Sequence, residues 1–166
     1  MPAGYLDNEG ISSRLTSVID WERVEDLDRE VFALVPRVAV SLSAGAGSVS
    51  QGEEELPPLA FRRDWLVKKN ITSRSNLRTC TIEGDSMSPY LEDGDTVLLD
   101  MGQTSIKDSE VYAIEHSGDI RIKRLSKTFD GGVTIESDNH RYKPEQLTPE
   151  QAAALRVIGR LVWRAG

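Results

Sequence analysis

The chain is short of several things, and each shortage excludes something. It has a single cysteine, Cys80. One cysteine cannot close an internal disulfide, and with two histidines no Cys/His cluster has zinc-site spacing. The fold is therefore expected to hold by packing alone, without metal or cofactor, in a reducing compartment such as the cytoplasm. No apolar run approaches the roughly 20 residues that span a bilayer. The start lacks the basic-then-apolar pattern of a secretory signal, so no membrane partner is expected. Positive charge is in deficit: 20 Lys and Arg against 27 Asp and Glu leave a net charge of −7. Such a chain repels phosphate, and this segment is not expected to bind nucleic acid by itself. What remains is ordinary globular composition, 39% hydrophobic and 28% charged, at a length that suits one domain with an appended arm.

Residues 1–36 are mixed and acidic, and their apolar positions (Val18, Ile19, Trp21, Val24, Leu27, Val31) fit neither a helical nor a strand period. They read as an arm or linker with one or two helical turns around Asp20–Glu30, ended by Pro36. Arg37 to Leu42 alternates like a strand and runs into a loop of small residues, about 41–52. Leu59 to Val67 reads as a short amphipathic helix. From there the pattern is strand-like: Leu77–Ile82, Thr96–Asp100, Glu110–Glu115, Asp119–Leu125 across a Ser117-Gly118 hairpin turn, Val133–Glu136 and Leu155–Trp163. Short strands with Gly-rich turns predict a mainly β domain over 37–166.

The chemistry concentrates in Glu83-Gly84-Asp85-Ser86-Met87-Ser88-Pro89, followed by Leu91-Glu92-Asp93-Gly94-Asp95. Ser86 stands just past a strand end, where a hydroxyl can be presented and backbone N–H groups are free to stabilise an oxyanion. Met87 and Asp85 flank it as cleft or oxyanion candidates, with Asp85 also suited to capping the turn. A serine attacks only when a base takes its proton. By inventory that base could be His116 or His140, but His116 lies at a hairpin tip and His140 in a polar loop. Lys123, in Ile120-Arg121-Ile122-Lys123-Arg124-Leu125, is the better candidate. A lysine desolvated in an apolar cleft loses proton affinity and can act as a base near neutral pH. Spacing alone would still leave a common turn and a solvated strand lysine as the default.

The segment from Gly84 to Pro89, with Leu91 to Asp100, resembles the nucleophile segment of LexA-type and phage CI repressors. Glu110–Glu115 with Ile120–Leu125 resembles the same family's lysine hairpin. Glu136-Ser137-Asp138-Asn139 with Tyr142-Lys143-Pro144 resembles a loop of its prophage members, and Val157–Trp163 its closing strand. The matches run in order over roughly residues 37–166. The resemblance implies a compact LexA-like, signal-peptidase-like β domain with a short helix and an N-terminal arm. It also implies a Ser-Lys serine endopeptidase that cleaves itself, with Ser86 and Lys123 as the dyad. The scissile bond of the family joins Ala to Gly: here Ala44-Gly45, preceded by Leu42, or alternatively Ala46-Gly47. The implied partners are a second copy of the chain, as a homodimer, and the RecA filament of the SOS response. DNA would be reached only through a helix-turn-helix domain that these residues do not contain. The competing reading is a non-cleaving dimerisation module controlled by an antirepressor protein. A membrane signal peptidase and a polymerase accessory subunit are further, weaker alternatives.

Overall fold

A computed structural model describes residues 26–38, 42–43, 57–71, 73–116 and 118–166. Its main element is an eight-stranded sheet. In chain order the strands are β1 (Phe32–Val35), β2 (Leu42–Ser43), β3 (Leu59–Arg62), β4 (Leu77–Glu83), β5 (Thr96–Asp100), β6 (Glu110–His116), β7 (Asp119–Lys127), β8 (Val133–Glu136), β9 (Glu145–Leu147) and β10 (Arg156–Ala165). Two short helices are described, α1 (Arg63–Lys68) and α2 (Pro149–Ala154). The large sheet runs β2-β4-β5-β10-β6-β7-β8-β9, and β1 pairs with β3 separately. Only the β2–β4 pair is parallel among these; the others are antiparallel. This is the mainly β, LexA-like architecture that the sequence predicts.

The apolar runs are continuous, not alternating, because the sheet is covered on both faces. On β6, Val111 and Ala113 enter one core with Cys80, Met87, Leu91, Val97 and Leu99. Tyr112 and Ile114, of the opposite parity, enter another with Leu125, Val133 and Ile135. On β5, Leu98 leaves Val97 and Leu99 to join Val35, Phe61, Leu66 and Leu77. The closing strand β10 crosses the middle of the sheet, between β5 and β6, and its register shifts at Val157/Gly159 and Leu161/Trp163. Gly159 is required there: a Cβ would lie 2.8 Å from Asp100 O and from Met101 Cα.

Two sequence expectations are corrected, and two elements are added. The end of the supposed arm, Phe32–Val35, is a strand whose Ala33 and Val35 are buried. Four apolar residues in a row look featureless in sequence, but here alternate ones feed a core. Leu59–Arg62, read as the start of a helix, is the strand β3 that pairs with them; the helix begins only at Arg63. Phe61 packs inward between exposed Ala60 and Arg62, so period-2 burial overrides a weak helical pattern. Finally, β9 and α2 went unread. The capping box that starts α2 was present in Thr148-Pro149-Glu150-Gln151: Gln151 N donates to Thr148 Oγ1 at 3.3 Å, and Thr148 N to Gln151 Oε1 at 2.9 Å. Of the helical turns expected around Asp20–Glu30, the described part shows Asp26 in a 3-10 turn, followed by bend and turn at 27–31. The rest of that stretch and the Ser117 position of the hairpin lie outside the described residues.

Candidate active site

The turn between β4 and β5 is closed by its acidic residues. Gly84, at φ +87°, turns the chain out of β4, and its N–H donates to Asp93 Oδ1 at 2.7 Å. Asp95 is buried; its Oδ2 accepts from Glu92 N at 3.0 Å, and its carbonyl accepts from Ile82 N at 2.8 Å. Met87 and Leu91 are anchored in the core, with Leu91 N donating to Met87 O at 2.8 Å. Pinned at both ends and below, the turn leaves little freedom to the residue in front of Met87, which is Ser86.

Ser86 and Lys123 meet. Lys123 Nζ lies 2.8 Å from Ser86 Oγ, and both residues are buried, at 9% and 4% exposure. They are 37 residues apart in sequence, joined because β7 lies across the sheet from the β4–β5 turn. Burial pulls the Lys123 ammonium from its usual 10.5 down to about 8. The Arg121 guanidinium pushes the same way, and the Glu145 carboxylate opposes both. A lysine so placed is neutral for a substantial fraction of the time near pH 8, and can then accept the hydroxyl proton.

The other sequence candidates are placed differently. The Met87 side chain is in the core, so only its backbone faces the turn. The Asp85 carboxylate accepts from Tyr142 OH at 2.7 Å and from Asn139 Nδ2 at 3.2 Å. It therefore acts as an acceptor that orders the turn, and a carboxylate offers nothing to an oxyanion. His140 is exposed and lines a cavity of about 640 Å³ with Pro89, Tyr90, Asp138, Tyr142 and Arg164, a lining that includes neither Ser86 nor Lys123. The Ser86 hydroxyl bonds to Lys123, not to His140. Cys80 is buried, its thiol pushed up to about 12 by burial, and it packs as a small hydrophobe. Ala44-Gly45 and Ala46-Gly47 lie outside the described residues.

Three residues near the pair were not singled out from sequence. Asn139 and Tyr142 reach the Ser86 turn from the β8–β9 loop, and Glu145 acts on Lys123 from β9. Nothing local in the sequence connects Asn139 and Tyr142 to residues over 50 positions earlier, or Glu145 to Lys123; only the resemblance marked the loop before β9.

Residues 36–162 match the Peptidase S24-like family. The chain is 31% identical over 146 residues to the HTH-type transcriptional regulator PrtR of Pseudomonas aeruginosa, covering 86% of this chain and 57% of that protein. It is 30% identical over 125 residues to the repressor protein CI of Enterobacteria phage phi80, covering 75% of this chain and 52% of the repressor. The 26 kDa repressor protein of Escherichia phage HK022 is 23% identical over 165 residues, covering 97% of this chain and 65% of its own length. The chain thus spans between about half and two-thirds of the length of these relatives. With a mainly β fold and a family match that includes both Ser86 and Lys123, the chain belongs to the Peptidase S24-like family.

Proposed function

We propose that the chain is the C-terminal self-cleaving and dimerising domain of a phage-type transcriptional repressor, the domain comprising residues 37–166 together with β1, whose Ala33 and Val35 join its core. Ser86 is the nucleophile and Lys123 the general base, and the bond cut is Ala44-Gly45. The observation that carries this reading is the buried 2.8 Å contact between Lys123 Nζ and Ser86 Oγ, with the lysine drawn down to about 8. A second observation supports the choice of bond. Leu42–Ser43 pairs in parallel with Ile82 and Glu83, three residues before Ser86, and the same strand lies against β7, which carries Lys123. The next residues in sequence are Ala44 and Gly45.

The chemistry follows from the pair. Neutral Lys123 takes the Ser86 proton as Oγ adds to the Ala44 carbonyl carbon. The tetrahedral adduct collapses by breaking the Ala44–Gly45 C–N bond, and the Lys123 ammonium returns its proton to the Gly45 amine. This leaves an Ala44–Ser86 ester. Water, deprotonated by Lys123, then hydrolyses the ester and restores the Ser86 hydroxyl. At neutral pH Lys123 is mostly charged, so cleavage is slow until a signal such as the RecA filament favours the cutting arrangement. Cutting separates a DNA-binding half, reached through a helix-turn-helix domain outside these 166 residues, from the dimerising half. Two half-sites bound by separate monomers then lose the advantage of linkage.

The test is intact mass after incubation from pH 6 to pH 10, with Ser86→Ala alongside. Below pH about 8 the rate should rise close to tenfold per pH unit, then level off, following neutral Lys123. Fragments 1–44 and 45–166 are expected, absent in Ser86→Ala. Fragments 1–46 and 47–166 would move the bond to Ala46-Gly47. A wild-type chain that stays whole at every pH and with RecA filament would sink the self-cleavage reading in favour of a regulatory module under an antirepressor.

A further inference from the structure

The loop that follows β8 grips both members of the Ser86–Lys123 pair. From its side, Asn139 N donates to Ser86 O at 3.0 Å, the residue's own carbonyl. Asn139 Nδ2 donates to Asp85 O at 2.9 Å and to Asp85 Oδ2 at 3.2 Å. Tyr142 OH donates to the other Asp85 oxygen, Oδ1, at 2.7 Å. The loop is folded on itself as well: Tyr142 N donates to Asn139 O, and Arg141 N to Asn139 Oδ1, both at 3.0 Å. Four bonds therefore tie two consecutive residues, Asp85 and Ser86, to one loop. Toward the lysine there are two further ties. The Tyr142 ring lies 5.8 Å from Lys123 Nζ. Arg124, the next residue on β7, holds Asp138 through two parallel bonds, Nε to Oδ1 at 2.8 Å and Nη2 to Oδ2 at 2.6 Å.

We propose that the 138–142 loop is a brace that holds Ser86 Oγ at hydrogen-bonding distance from Lys123 Nζ, with Asn139 and Tyr142 as its positioning residues. The proposal rests on the reading of these two residues as the cleaving pair. The turn carrying Ser86 and the strand carrying Lys123 come from distant parts of the chain, and Ser86 is in contact with Lys123 through one hydrogen bond. The loop is bonded to both sides, so it sets the gap between them. Displacement of a reacting atom by about 1 Å can cost a hundredfold in rate, and the bonds in the brace are partly exposed, so losing one should weaken the fold little.

The experiment compares the wild-type chain with Asn139→Ala, Tyr142→Phe and the double variant by two readouts. The first is the self-cleavage rate across pH. The second is the titration of Lys123, followed by the NMR shift of its side-chain carbon next to Nζ in labelled protein on the Ser86→Ala background, which cannot cut itself. Besides Tyr142, the charged groups acting on Lys123 are Arg121 from β7 and Glu145 from β9; they are unchanged in all variants. The brace predicts that Asn139→Ala lowers the rate plateau above pH 8 by about 10- to 100-fold, Tyr142→Phe by about 3- to 10-fold. The double variant should lose less than the product of the two, because both act on Asp85. A looser loop admits water, so the Lys123 midpoint should rise toward 10.5. A plateau within twofold of wild type in Asn139→Ala, or a fall fully accounted for by unfolded protein in a melting curve, overturns the proposal. If the wild-type chain yields no fragments under any condition, the cleavage reading fails by itself. The titration then decides the brace: a midpoint moved by about half a unit or more by Asn139→Ala supports it, and an unmoved midpoint overturns it.

Discussion

A lysine ammonium kept out of water is a burden on the fold, and Lys123 shows how large. Its pKa falls from 10.5 to about 8 on folding, which corresponds to about 3 kcal/mol of disfavoured charge. Since the folded value is the lower one, the unfolded chain binds the extra proton between pH 8 and 10.5, and stability rises with pH across that window. Below pH 8 the full penalty is present. Lys123→Met replaces the amine with an apolar chain of similar length, at the cost of leaving the Ser86 hydroxyl without its partner, about 1 kcal/mol. The variant should therefore be more stable than wild type at pH 7 by about 2 kcal/mol. Urea unfolding at pH 7 and pH 10 checks this, and the advantage should shrink at the higher pH. An equal or lower stability at pH 7 would mean that the lysine is better solvated than its burial implies. Displaced pKa values of this kind are common in functional clefts, which accords with the role proposed for Lys123.

At the scale of elements, the site depends on strands that are short and held by their neighbours. Glu145, which acts on Lys123, lies on β9, a strand of three residues at the edge of the sheet. The helix α2 follows β9 directly, and its Ala152, with Leu147 and Leu155, packs against the core beneath β8. A six-residue helix has no stability of its own, so its start must be fixed by the Thr148 cap and by Pro149 at its first turn. Thr148→Ala removes one half of the capping box and should cost about 1 kcal/mol. The check is a chemical melt read together with hydrogen exchange. Loss of protection confined to residues 145–155 would place the cap in this element; uniform loss would show that α2 is not a separate unit. The sequence displayed this cap openly, while β3 next to α1 was hidden, because the same residues support a helical pattern until Phe61 is seen to face a strand partner.

For the whole molecule, the issue is where the folding unit begins. The family match starts at residue 36, yet Ala33 and Val35 are buried with Phe61, Leu66 and Leu98, and Leu27 is buried as well. β3 has β1 as its only sheet partner among the described residues. A chain that starts at Pro36 should expose Phe61 and Leu66 and lose about 3 kcal/mol or more, from apolar surface returned to water and an unpaired strand. Guanidinium unfolding of the two chains tests this. An unchanged midpoint would make β1 an attachment and leave 37–166 as the complete unit. Among the described residues no helix is long and apolar enough to cross a membrane.

The sequence by itself determined the mainly β class and most of the strands of the large sheet, while Ser86 and Lys123, which meet in the structure, were marked as a pair by resemblance to a family and not by spacing. Strand patterns, a serine after a Gly-Asp turn and a lysine amid isoleucines are local, and local pattern survives in a one-dimensional text. Even so, a lysine on a strand is ordinarily a solvated residue, and its lowered pKa is decided by what buries it. That came only from tertiary structure: β7 passing under the β4–β5 turn, the double-sided cores that leave no face of β6 free, and the approach of Asn139 and Tyr142 to Asp85. These are contacts across tens of residues, set by the order of strands in the sheet. The same holds for β1 and β3, which are recognisable as strands only as a pair, since each supplies the partner that the other lacks.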